Sequence, residues 1–114
     1  IVGGICHAAG ATYEFSYNLP YIPTVNDSAC VAMSRKVTEK YLGNDLWFEL
    51  PRASMGAEDF SYYLRAYPGV FCYLGIGSDC PAIHNPKFNF NDAAIRNGIL
   101  FFTGMVLEML ENEK

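Results

Sequence analysis

Two short loops carry residue types that do hydrolytic chemistry. The first reads Met55-Gly56-Ala57-Glu58-Asp59-Phe60, and the second reads Ile83-His84-Asn85-Pro86-Lys87-Phe88-Asn89-Phe90-Asn91-Asp92. The first puts carboxylates at the start of an apolar-periodic run. The second puts an imidazole in a loop stiffened by Pro86. A neutral imidazole is the commonest protein ligand to a metal. A carboxylate can bind a metal, orient a ligand from behind, or accept a proton. Together these are the groups a metal-assisted hydrolase needs. A catalytic zinc site takes three protein ligands, however. The only other histidine, His7, lies across a proline-bracketed linker, so the chain alone does not specify a complete site. Each loop also has a plainer reading. His84 fits a loop histidine bonded to backbone. Glu58 and Asp59 fit helix first-turn acids, each worth about 0.3–1 kcal/mol against the helix dipole.

Other motifs fail on their spacing. Gly75-Ile76-Gly77 hints at a dinucleotide loop, but Cys80 stands where the third glycine of G-x-G-x-x-G belongs, and Pro81 and a long loop replace the expected helix. Cys72, Cys80 and His84 are spaced unlike a zinc ribbon or finger. No G-x-S-x-G or P-loop occurs. The four cysteines, Cys6, Cys30, Cys72 and Cys80, include no C-x-x-C pair. Three of them lie in apolar periodic segments, where a free thiol behaves as a small hydrophobe. Spacing leaves a Cys72–Cys80 disulfide open; reduced thiols in a cytosolic protein are the plainer expectation.

The elements that must position the two loops are legible from periodicity. Residues 1–10 read as a helix end closed by Gly10. Residues 11–19 alternate, with Tyr13, Phe15, Tyr17 and Leu19 on one face, as a half-buried strand does. Pro20 and Pro23 bracket an extended linker. Asn26-Asp27-Ser28 caps a helix over 28–42 with a buried stripe of Cys30, Met33, Val37 and Tyr41, stopped by Gly43. Residues 46–50 read as a short strand ended by Pro51. Residues 56–67 read as a helix with Phe60, Tyr63, Leu64 and Tyr67 on one face and the two acids in its first turn. Pro68-Gly69 breaks it. Residues 70–76 are nearly all apolar, which predicts a strand covered on both faces. A long loop over 77–91 follows. Asn91 or Asp92 caps a last, well-buried helix whose stripe is Ile95, Ile99, Phe102, Val106 and Met109, widened by Leu100 and Phe101. Helices alternating with strands from Asn26 onward predict an α/β layered domain.

Composition narrows the partners. Hydrophobic residues make up 51% and aromatics 15%, too apolar for a disordered chain. Eight basic residues against twelve acidic ones give a net charge of −4, which offers no electrostatic reason to expect nucleic acid. The aromatic face over 13–17 is expected to serve a core or an interface rather than to stack bases. The best apolar run, 99–110, is short for a membrane span and holds Glu108. No signal peptide is visible. The chain, 114 residues long, suits one domain or a piece of one. It opens on Ile1-Val2-Gly3-Gly4 with no Met and no capping residue, which predicts a start inside an element.

Asn26-Asp27, Met55-Gly56-Ala57-Glu58-Asp59-Phe60, Pro68-Gly69-Val70-Phe71, Leu74-Gly75-Ile76-Gly77 and Ile83-His84-Asn85-Pro86-Lys87-Phe88 occur in this order. With them the whole chain resembles the C-terminal part of the M20 metallopeptidase family. The nearest branch is the amidohydrolases of N-acyl amino acids, such as hippurate, aminobenzoyl-glutamate and auxin-conjugate hydrolases. The Glu-Asp-Phe and His-Asn-Pro motifs carry the resemblance jointly. It implies a zinc-peptidase-like α/β catalytic domain with an inserted lid that often dimerises. Residues 1–25 would be the end of that lid, its last helix and strand, with the linker. Residues 26–114 would be the C-terminal portion of the catalytic domain. The family site holds two divalent metals, usually zinc, manganese or cobalt. The resemblance makes His84 a metal ligand, and Gly56, Glu58 and Asn26 substrate contacts or supports for the ligands. It assigns no catalytic residue to this chain, because the family's general base and remaining ligands lie upstream. The expected substrate is a small N-acyl amino acid or peptide, hydrolysed by metal-activated water in a cytoplasmic enzyme. Neither nucleic acid nor membrane is an expected partner, and a homodimer through the lid is. The chain alone is expected to be inactive. A non-catalytic interaction module that keeps a hydrolase fold is the competing expectation.

Overall fold

Asp27 starts the principal helix. Its backbone is extended, and its side chain accepts a hydrogen bond from the Cys30 N–H at 2.9 Å, filling a donor the helix leaves orphaned. That bond holds the Asp27 carboxyl below its ordinary pKa. In the computed structural model, which describes residues 1–19 and 21–112, this helix is the second of four. They are α1 (Val2–Ala8), α2 (Ser28–Tyr41), α3 (Ser61–Ala66) and α4 (Ala93–Asn112). Pro20, at the head of the expected linker, and Glu113 and Lys114 lie outside the described residues. Helix α2 stops as predicted: the Leu42 and Gly43 N–H groups both donate to the Thr38 carbonyl at 2.9 Å, and Gly43 takes φ +147°.

Helices α2 and α4 pack on each other, but not through the stripe expected of α4. Ile95, Ile99, Phe102, Val106 and Met109 are all exposed. The buried face of α4 is Ala94, Gly104 and Glu108. Two local facts explain the reversal. A Cβ placed on Gly104 would sit 2.7 Å from both Val37 and Tyr41, so only glycine lets the helices approach this closely. One turn further on, Glu108 is buried between two lysines of α2. Lys36 Nζ lies 2.5 Å from its Oε2 and Lys40 Nζ 2.5 Å from its Oε1. The helices therefore meet along a small, charged seam, and the large apolar residues face away from it. At 20 residues, α4 is also long and apolar enough to cross a bilayer, longer than the run read from sequence. Its ion pairs with α2 are the reason to read it as a helix packed on protein.

The hydrogen bonds from the two lysines hold the Glu108 carboxyl below its ordinary pKa, and the bond to Glu108 raises Lys40. A carboxyl whose folded pKa is depressed contributes stability that is complete above its unfolded value, about 4.3, and that is lost as pH falls through the folded one. Resistance to urea should therefore fall with acidification below about pH 4.5. Glu108→Gln should flatten part of that slope, while an unchanged slope would show that the pair contributes nothing.

The expected α/β layering is not formed. Among the described residues there is no strand at 11–19, 46–50 or 70–76. Strand sequence is not enough, because a strand exists only through a ladder with a partner. The nearest thing to a ladder is made by a side chain. Asn26 accepts from the Phe71 N–H (2.8 Å) and donates to the Phe71 carbonyl (2.9 Å), while the Asp27 N–H donates to Gly69 (2.9 Å). Residues 72–75 are exposed, against the expectation of cover on both faces. The chain is open as a result. Its radius of gyration is 20.7 Å, against about 13 Å for a compact domain of this length. Its accessible surface is 9758 Å², against about 6,200 Å² for a folded monomer of this mass. Among the described residues, only Val37 and Ala94 are buried apolar side chains.

Candidate functional site

The second loop is built from two successive β-turns. The Asn85 N–H donates to the Ala82 carbonyl (3.2 Å), and the Phe88 N–H donates to the Asn85 carbonyl (2.9 Å). Pro86 takes the second position of the latter turn, where its fixed φ fits. The Asn85 side chain reinforces that turn by accepting from the Lys87 N–H at 2.8 Å. His84 is third in the first turn, at φ +67°, the one non-glycine residue among those described with positive φ. The left-handed region costs an L-residue about 1–2 kcal/mol. Histidine, like asparagine and aspartate, is found in this region more often than other side chains, and glycine enters it without the penalty. The imidazole is exposed, and no hydrogen bond or ion pair engages it among the described residues.

The first loop departs from its predicted form. The acids were expected in the first turn of a helix over 56–67, yet α3 begins only at Ser61. Glu58 Oε1 accepts from the Phe60 N–H (3.1 Å), and the Glu58 and Asp59 carbonyls take the Ser61 and Tyr62 N–H groups in tight turns. Such side-chain bonds compete with helix for the same backbone groups. Gly56 donates to Ser54 Oγ at 3.4 Å. Asn26 supports this loop at one remove. Both edges of its amide are taken up by the Phe71 backbone, and the Phe71 ring lies 5.7 Å from the Phe60 ring that ends the loop.

Geometry thus brings Asn26, Phe71 and the 55–60 loop together, and it joins none of them to His84 by a hydrogen bond or ion pair among the described residues. No group of three His, Cys, Asp or Glu side chains is placed to hold a metal ion among those residues. One unengaged imidazole fits one ligand position and no more. All four cysteines are free thiols. One residue with a structural part in the site was read from sequence only as a helix cap. Asn91 donates from Nδ2 to the Ile76 carbonyl at 3.0 Å across the base of the His84 loop. The sequence marks this asparagine as a cap, and only the coordinates show its bond across 15 residues.

A model of Peptidase family M20/M25/M40 matches residues 2–108. Among relatives, the chain is 33% identical over 99% of its length to a Rhodococcus jostii protein named "Putative glutamate--cysteine ligase 2-3", of which it spans 15%. It is 33% identical over 77% of its length to an IAA-amino acid hydrolase of Arabidopsis thaliana, spanning 21% of that protein. It is 32% identical over 81% of its length to an N-acetyldiaminopimelate deacetylase of Enterococcus faecalis, spanning 23%. The chain thus covers less than a quarter of each of these three relatives. No solved structure matches it at comparable stringency.

Proposed function

Because the chain belongs to Peptidase family M20/M25/M40, we propose that it is part of a longer metal-dependent amidohydrolase. That enzyme cleaves the amide bond of N-acyl amino acids or small peptides. Two relatives named for hydrolysing an amino acid conjugate and an N-acetyl amino acid support the substrate class. The single observation that carries the site is His84, strained into the left-handed region and presenting an unengaged ring to solvent. In this proposal His84 supplies one ligand of a centre for two divalent ions, zinc, manganese or cobalt, and the other ligands come from sequence outside this chain. A bound divalent ion supplies Lewis-acid polarisation of the amide carbonyl. The chain's own residues build one wall. The turn fixes where the imidazole points, Glu58 holds the 58–60 backbone, Gly56 keeps the approach to that loop free of a side chain, and Asn26 braces it through Phe71 and Phe60.

We assign residues 1–25 to the end of a lid and 26–114 to the catalytic domain, which together form an α/β unit once partner strands are supplied. The surface exposed beyond that of a compact monomer supports this assignment. The exposed aromatic run Tyr13, Phe15 and Tyr17 supports a lid that packs on another surface, as a homodimer through the lid requires. The four free thiols support a cytoplasmic site.

The test is amide hydrolysis by the whole protein on a panel of N-acetyl and N-benzoyl amino acids, with and without chelator. We expect release of the free amino acid, lost with chelator and restored by zinc or manganese. The 114-residue chain alone should release none. Failure to hydrolyse any member of the panel, with chelator making no difference, would overturn the reading.

A further inference from the structure

The loop over 77–90 leaves and rejoins the body of the chain through one carbonyl. The Ile76 carbonyl accepts from Asn91 Nδ2 at 3.0 Å and from Cys80 Sγ at 3.4 Å. Asn91 is bifunctional. While its Nδ2 holds Ile76, its Oδ1 accepts from the Ala93 N–H at 3.1 Å and its own carbonyl accepts from the Ala94 N–H at 2.9 Å, which starts α4. Gly77, next to the held carbonyl, takes φ +99°, the sharp turn by which the chain leaves it. One asparagine therefore ties both ends of a 14-residue excursion to the first turn of a 20-residue helix. His84 lies near the middle of that excursion, in a turn whose own hydrogen bond spans only 82–85. Among the described residues no hydrogen bond of 81–90 reaches outside the loop, so the backbone tie that sets the imidazole relative to α4 is the closure at Ile76.

We propose that Asn91 is a positioning residue for His84: by donating to the Ile76 carbonyl it closes the base of the 77–90 loop, from which the imidazole projects, onto the first turn of α4. The proposal rests on the reading of His84 as a ligand. Asn91→Asp separates the two jobs of the side chain. The carboxylate keeps an acceptor for the Ala93 N–H, so α4 still starts. It replaces the donor to Ile76 with a second oxygen, which repels the carbonyl it faces. Groups that orient a metal ligand change affinity by about 10–100-fold when lost.

Two measurements on the whole protein decide the matter. In Asn91→Asp, amide hydrogen exchange should speed up across 77–90 and leave 93–112 as in the parent, and zinc affinity by competition titration should fall about 10–100-fold. Parent-like exchange across 77–90 would overturn the proposal. His84→Ala separates its failure from that of the ligand reading. Zinc affinity lost in His84→Ala but kept in Asn91→Asp removes the role of Asn91 alone, whereas zinc affinity kept in His84→Ala removes the ligand assignment and the positioning role with it.

Discussion

Replacing His84 with alanine in the whole enzyme should lower kcat/KM for an N-acyl amino acid by at least about 100-fold, since loss of a ligand must exceed the 10–100-fold typical of the groups behind ligands. The same change removes a left-handed side chain. Alanine keeps the φ penalty and glycine relieves it, worth about 1 kcal/mol. Two substitutions then separate function from strain. His84→Ala and His84→Gly should be equally inactive, while His84→Gly should unfold at slightly higher urea than His84→Ala. A histidine kept only to complete a turn would behave otherwise, because glycine would serve as well as histidine and activity would survive. Equal loss of activity in both variants, with the glycine variant the more stable of the two, is the signature expected of a strained functional residue.

The second large effect belongs to the α2–α4 seam. Gly104→Ala should destabilise even though alanine is the better helix former by about 1 kcal/mol. The added Cβ would stand 2.7 Å from Val37 Cγ1 and from the Tyr41 ring. Tyr41 is half-buried and can yield, but Val37 is fully buried and cannot. Overpacking of this kind costs about 1–3 kcal/mol, enough to outweigh the propensity gain. Gly104→Val adds bulk and loses the propensity gain, so it should cost more. Gly98 on the same helix is the control. A Cβ there meets Leu74 at 3.5 Å, an ordinary contact, so Gly98→Ala should stabilise by about 0.5–1 kcal/mol. Opposite signs at two glycines six residues apart, read from urea midpoints, would confirm the seam. A stabilising Gly104→Ala would mean that the helices do not approach as described.

Local signals were legible in the sequence wherever a residue acts on its own neighbours. Asp27 before an apolar stripe and Gly43 after it bound α2 to within a residue. Asn91 and Asp92 mark the start of α4, and the Asn85-Pro86 pair marks the turn that follows His84. Other features depend on partners that one sequence does not name. Residues 11–19 and 70–76 have strand patterns, but pairing is a property of two segments. The face of α4 was misread because hydrophobicity counts large side chains, whereas this contact is made by the absence of one at Gly104 and by a carboxylate at Glu108. The late start of α3 follows from Glu58 taking the Phe60 N–H, a choice between two local bonds that periodicity does not register. Within the site, His84 and the 55–60 loop stood out by residue type. The bracing by Asn26 and the closure by Asn91 span 45 and 15 residues and needed coordinates.

The central claim is that His84 binds metal in an enzyme of this family. An anomalous difference map at the zinc edge, from crystals of the whole protein soaked with zinc, tests it most directly. The account predicts a peak about 2.0–2.1 Å from a ring nitrogen of His84, the distance of a zinc–imidazole bond. An occupied metal centre elsewhere in the protein, with no peak within bonding reach of His84, would contradict it.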